Sequence, residues 1–176
     1  MTKHRKHAKL KLRDNDNFSP NEIAILGTTC NVISDLVSKV SENLSVFRLA
    51  YMDASHSENA EDTPVEVYTF HSKGSAQLAI KGEINKFNQR VQFAQYDLLF
   101  INGNHFRGKK QILILDPDKE ASVKKRLSQL DNIAFVIKVN EKSDYFDFLV
   151  SSNPQIKDLV CYSINDLEKI SKHIFH

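Results

Sequence analysis

Three short stretches of this chain carry residues able to do chemistry, and each follows an apolar run. The first is Gly27-Thr28-Thr29-Cys30-Asn31-Val32-Ile33-Ser34, directly after Glu22-Ile23-Ala24-Ile25-Leu26. A phosphate-binding loop reads G-x-x-x-x-G-K-[ST] between a strand and a helix. Gly27 and Ser34 hold that spacing, but Val32 stands where the second glycine belongs and Ile33 where the lysine belongs. Backbone N–H groups and the positive end of a helix dipole could still attract an anion there. Ile33 cannot neutralise phosphate charge, and Val32 disfavours the positive φ that glycine permits. An ordinary strand–helix turn without a ligand fits the same residues.

The second stretch is Tyr51-Met52-Asp53-Ala54-Ser55-His56. An acid at the end of a buried strand, with a histidine after it, can serve a metal or a polarised water. A turn aspartate beside a surface histidine reads equally well. The third stretch runs from Asp97 through Leu98-Leu99-Phe100-Ile101 to Asn102-Gly103-Asn104-His105-Phe106-Arg107-Gly108-Lys109-Lys110. Amides, a histidine and three cations at a strand end suit an anion. Asn102-Gly103 could instead be a tight hairpin turn with the cations as a solvated rim.

These loops need a scaffold, and alternating strand and helix signals supply one. Strands are expected at Glu22–Leu26, Phe47–Met52, Val65–Phe70, Gln77–Ile84, Tyr96–Ile101, Gln111–Leu115, Ile133–Val139 and Leu159–Ile164. Helices are expected at Asn31–Leu44, Asn85–Gln95, Asp118–Leu130, Asp144–Ser152 and Asn165–Ile174. Ile33, Leu36, Val37, Val40 and Leu44 form an apolar face at helical spacing, with Asn31 as the expected cap. Asn165 or Ser163 is the expected cap of the last helix. Leu98-Leu99-Phe100-Ile101 has the continuous apolar character of a strand covered on both faces. The pattern predicts an α/β fold: three layers, a mostly parallel sheet with helices on both faces, P-loop NTPase-like. Ligands of such sheets bind at the carboxyl ends of the strands, which is where the three stretches fall.

The bulk properties set outer bounds. A chain of 176 residues is most simply one domain, here residues 19–176 after a basic arm, 1–18. No apolar run reaches the roughly 20 residues of a membrane span. The basic amino terminus lacks the apolar segment of a secretory signal. Cys30 and Cys161 have no metal spacing, and two cysteines fit a reducing, cytoplasmic setting. The net charge of +2 hides an asymmetry. Lys3, Arg5, Lys6, Lys9, Lys11 and Arg13 precede the first acid, Asp14, and the remainder is slightly acidic. The arm could bind a polyanion, bring positive charge to a phosphate site, or remain a solvated tail. Nucleic acid ranks last as a partner, because no base-reading motif accompanies the arm.

Taken in order, the three stretches resemble the MobB-type P-loop proteins, GTP-binding adaptors of molybdopterin-guanine dinucleotide biosynthesis. Asp97 and Gly103 match that family's third segment, and Asn102 replaces its Glu. Met1-Thr2-Lys3-His4-Arg5-Lys6-His7 and Asn102-Gly103-Asn104-His105 look like a subgroup in which a degenerate domain precedes a MobA-type molybdenum cofactor guanylyltransferase in one chain. The Gly-rich nucleotide loop of that transferase is absent from these residues. The chain is then expected to be the isolated front domain or a free-standing relative.

The resemblance implies an accessory, non-hydrolytic domain that binds or scaffolds nucleotide, pterin phosphate or the transferase domain, in cis or in trans. No catalysis is expected of the domain itself, whether it is part of or partner to a nucleotidyltransferase, and self-pairing stays open. The cofactors implied are GTP with Mg²⁺, or molybdopterin. The expected nucleotide and phosphate contacts are Gly27, Thr28, Thr29, Ser34, Asn102, Gly103, Asn104, His105, Lys109 and Lys110. Asp53 and Asp97 are the expected metal ligands. The alternatives are an active Mg²⁺-dependent GTPase or NTPase, and a nucleic-acid module built on the arm.

Overall fold

The computed structural model describes residues 20–54, 65–71, 74–80, 91, 93–140 and 144–175. The basic arm, Ser55, His56, the turn at Lys73 and most of the expected helix Asn85–Gln95 lie outside them. Eight strands form one sheet: β1 (Asn21–Leu26), β2 (Leu49–Asp53), β3 (Val65–His71), β4 (Gly74–Ile80), β5 (Leu98–Asn102), β6 (Lys110–Leu115), β7 (Ile133–Lys138) and β8 (Cys161–Ser163). Their order is β4-β3-β2-β5-β1-β6-β7-β8. The run from β2 to β8 is parallel throughout, and the hairpin β3–β4 joins antiparallel beside β2.

Helices cover both faces, as the alternating pattern predicts. Four helices are used below: α1 (Cys30–Asn43), α2 (Glu120–Lys125), α3 (Asp147–Ser152) and α4 (Leu167–Ile174). Side chains alternate across the pleat. On one face Ile23 and Ile25, Leu98 and Phe100, Ile112 and Ile114 pack with Ile33, Leu36, Val37 and Val40 of α1 and Ile170 of α4. On the other, Ala24, Ala50, Leu99 and Ile101 meet Phe93 and Tyr96. Farther along that face Leu26, Leu113, Leu115 and Val136 meet Val123 of α2, Leu149 of α3 and Ile156. Burying a side chain such as Ile33 or Phe100 contributes about 1.5–3 kcal/mol, so α1 is fixed by its apolar stripe.

Several local expectations are corrected. The cap of α1 is Thr29, whose hydroxyl accepts from the Val32 N–H, and Asn31 lies inside the helix. β2 runs from Leu49 to Asp53, starting two residues and ending one residue later than expected. The second hairpin strand starts at Gly74, directly opposite His71. The helix expected over Asp118–Leu130 is split. Asp116 and Pro117 open a 3₁₀ turn, α2 stops at Lys125, and Leu127–Gln129 forms a second 3₁₀ turn. Tertiary bonds compete with the helix there: Gln111 Nε2 donates to the Gln129 carbonyl at 2.7 Å. The last strand is only Cys161–Ser163. Before α4, Asp166 occupies the cap position, while Ser163 Oγ accepts from Asn165 N.

A candidate site at the carboxyl edge of the sheet

The chain leaves β1 toward β2, on one side, and later leaves β5 for β6, on the other. The crevice where such a sheet reverses its winding opens between the carboxyl ends of β1 and β6. Gly27 begins the turn there with φ +99°. A Cβ at Gly27 would lie 2.3 Å from the Ile114 carbonyl oxygen, so β1 and β6 approach too closely for any side chain. Thr28 follows, buried, and its hydroxyl donates to Asp116 Oδ2 at 2.6 Å. This bond spans the crevice between the two strand ends.

The turn itself differs from a phosphate loop. α1 starts at Cys30, so only Gly27, Thr28 and Thr29 connect strand to helix. The N–H groups of Val32 and Ile33 bond to Thr29, through its hydroxyl and its carbonyl. Ile33 is fully buried in the core, and Ser34 lies exposed in the second turn of the helix. The spacing of Gly27 and Ser34 therefore does not translate into a loop that wraps an anion.

A second group lies beside it. Tyr51 and Asp53, two apart on β2, point toward α1, as does Asn102 on β5. The Asp53 carboxylate accepts from Tyr51 Oη at 2.8 Å, from Asn102 Nδ2 at 2.9 Å and from Ala54 N at 2.7 Å. Burial, reinforced by the hydrogen bond to Asp53, pushes the Tyr51 phenol far above its ordinary value. His105 Nε2 lies 3.9 Å from Asp53 Oδ1 and 3.3 Å from Cys30 Sγ.

The connection from β5 to β6 carries the rest. Asn102 Oδ1 accepts from Asn104 N, and Asn104 Nδ2 donates to the Thr28 carbonyl at 2.9 Å. Arg126, at the end of α2, donates to the Asn104 carbonyl at 2.6 Å and to that of Gly103 at 3.3 Å. A Cβ at Gly103 would lie 2.9 Å from the Ile25 carbonyl, and one at Gly108 2.9 Å from Ala24 N. The connection crosses β1 in contact with its backbone, which is how seven residues replace the usual crossover helix. Asn102-Gly103 is thus no hairpin turn.

The expected site residues separate accordingly. Gly27, Thr28, Thr29, Asn102, Gly103, Asn104, His105 and Asp53 are brought to one edge. Asp97 is not: it directly precedes β5, about 16 Å down the strand from Asn102 at ~3.3 Å per residue. There it forms a bidentate pair with Arg48, at 2.8 and 3.1 Å, and accepts from Arg48 N. The hydrogen bonds to Asp97 hold the guanidinium charged. Asp97 and Asp53 therefore cannot share a metal. Lys110 begins β6 opposite Ile23, and Lys109 precedes it. Both lie roughly 13 Å below Gly27, four residues along β1, and are exposed.

GTP with Mg²⁺ does not fit the described residues. Asp53 already accepts three hydrogen bonds, the Asp116 carboxylate beside the turn accepts from Thr28 and Asp118 N, and no lysine among the described residues stands at the edge. No group of three or more His, Cys, Asp or Glu among the described residues could hold a metal ion. Sequence reasoning missed Tyr51, Asp116, Arg126 and the contact of Cys30 with His105. Tyr51 was hidden in an apolar strand, and Asp116-Pro117-Asp118 has the composition of a plain helix start. No helix among the described residues is long and apolar enough to cross a membrane.

No family model and no curated protein matches the chain. Among solved structures it is similar to Bacillus subtilis MobB, at 14% identity over 86% of this chain and 96% of that one, with a TM-score of 0.48. At that score the likeness adds nothing to the fold read from the strand order.

Proposed function

We propose that the chain is a non-hydrolytic accessory domain of molybdenum cofactor guanylyltransferase, acting in molybdopterin-guanine dinucleotide biosynthesis as a scaffold for the transferase domain, in cis or in trans. The order of the three loop motifs in the sequence supports the biosynthetic setting. The single observation that carries the accessory role is the start of α1 three residues after Gly27, with Ile33 buried where a catalytic lysine would project. Phosphoryl transfer relies on positioning and on neutralising charge. An edge closed by Thr28–Asp116 and Asn104–Thr28 bonds, with no lysine among the described residues, does neither.

This favours scaffolding over retention of GTP or pterin phosphate. Should an anion bind here, Asn104, His105 and Arg126 are side chains beside the turn that are able to donate. The arm, residues 1–18, remains the source of any added positive charge. The test is a GTP turnover assay with Mg²⁺ on the purified chain, alongside a titration with the transferase. The expected result is transferase binding without turnover. Mg²⁺-dependent hydrolysis abolished by Thr28→Ala would contradict it, and so would failure to bind the transferase. Steep salt dependence of binding to generic DNA or RNA would instead favour the nucleic-acid reading.

A further inference from the structure

The last helix builds a cavity that the accessory role leaves unused. α4 follows β8 and packs on the same side of the sheet as α1, through Ile170. Between β8 and α4 lies a cavity of about 360 Å³, lined among the described residues by Tyr162, Lys169, Lys172 and His173. Small-molecule sites span roughly 300–1,000 Å³, so the space suits a ligand of one ring and one charged group. β8 ends the sheet three strands from β1. At ~4.8 Å per strand the cavity is about 14 Å across the sheet from the Gly27 edge.

The wall of this cavity is aromatic and held in place. Tyr162 Oη and His173 Nδ1 share a hydrogen bond of 2.9 Å, and the two rings meet edge to face at 5.7 Å and 82°. Phe135, fully buried, backs both, at 5.6 Å from Tyr162 and 4.7 Å from His173. Rings fixed in this way need no ordering when a second flat ring packs on them. The rim is cationic. Lys169 and Lys172 lie one turn apart on α4, and His173 lies four residues from Lys169. Lys169 Nζ pairs with Asp166 at 3.1 Å and Lys172 Nζ with Glu168 at 2.6 Å, yet the two lysine side chains are 68% and 69% exposed. An ammonium has three donors, so each keeps capacity beyond its carboxylate. Exposed pairs one turn apart are weak, and Asp166 and Glu168 do not bar a dianion that engages both lysines at once.

From an aromatic wall beside two lysines we infer that this cavity binds a small aromatic phosphomonoester. Its ring packs on Tyr162 and His173, and its phosphate takes charge-assisted hydrogen bonds from Lys169 and Lys172. A doubly charged phosphate uses both ammonium groups, whereas a carboxylate would bring one charge to two cations. The phosphate alone leaves the rings uncovered, and the ring alone leaves the lysines with their carboxylates. The inference stands apart from the accessory role, and either can fail without the other.

The experiment titrates the whole chain with phenyl phosphate, inorganic phosphate and phenol in turn, following the imidazole proton signals by NMR. His173→Gln identifies the His173 signals. Phenyl phosphate should shift them saturably, with a Kd about tenfold or more below that of either fragment. The double variant Lys169→Gln, Lys172→Gln should weaken phenyl phosphate about tenfold and leave phenol unchanged. Circular dichroism checks that the variant folds. If it does not, the comparison of the three probes on the unmutated chain decides. No saturable shift at His173 overturns the inference, and so does equal affinity for phenyl phosphate and inorganic phosphate. A folded double variant with undiminished affinity overturns it too, as do saturable shifts at His105 with His173 unmoved.

Discussion

Gly27 carries the most demanding constraint at the scale of single residues. Its φ of +99° suits glycine alone, and the Ile114 carbonyl occupies the space of a Cβ. Gly27→Ala should therefore cost roughly 2–4 kcal/mol in urea unfolding, combining left-handed strain with overpacking. A loss under 0.5 kcal/mol would show that the β1–β6 contact yields easily. Tyr51 gives a pH test. The phenol stays protonated in the folded chain well above its ordinary value. Above about pH 10 the unfolded chain releases that proton while the folded chain keeps it, so stability falls as pH rises, by up to ~1.4 kcal/mol per pH unit. Tyr51→Phe should cost about 1 kcal/mol at pH 7, through the lost bond to Asp53. That deficit should shrink between pH 10 and 11 in parallel denaturation curves. A constant deficit would contradict the buried-phenol account. Neither Tyr51 nor Asp116 could be singled out beforehand, because their partners Asp53 and Thr28 become meaningful only once strands β2, β1 and β6 are registered.

Among the elements, α1 was the most legible in sequence. Ile33, Leu36, Val37 and Val40 recur at helical spacing, and all four are buried. The apolar runs likewise located the parallel strands β1, β5, β6 and β7 to within a few residues. The helix start was less legible, since Thr29 and Asn31 are both good caps and only the close β1–β6 contact at Gly27 forces the earlier one. Thr29→Ala should cost about 0.5–1 kcal/mol by thermal unfolding, whereas Asn31→Ala should be neutral or better, as alanine suits a helix interior. The reverse ranking would return the cap to Asn31. The β5–β6 connection, whose Asn102-Gly103 fits a hairpin turn in sequence, is a crossover between parallel strands. Gly108→Val, with its Cβ 2.9 Å from Ala24 N, should destabilise by about 1–3 kcal/mol. Tolerance of valine there would mean that the connection does not press on β1.

Across the whole molecule, winding order puts the candidate residues of β1, β2 and β5 on one edge and leaves Asp97, Lys109 and Lys110 away from it. Sequence alone put the three stretches at strand ends but could not separate the two ends of β5, because Asp97 directly precedes that strand and Asn102 closes it beside Asp53. Asp116, Thr28, Asn104, Asn102 and Asp53 are linked in one chain of hydrogen bonds. Such an edge holds a shape, which suits a domain that supports a partner's chemistry. The most direct measurement is calorimetric titration of the guanylyltransferase into this chain, with and without GTP and Mg²⁺. The account predicts saturable binding of the same affinity in both, and no heat from GTP with Mg²⁺ alone. Saturable nucleotide binding by the chain alone, or no binding of the transferase, would contradict it.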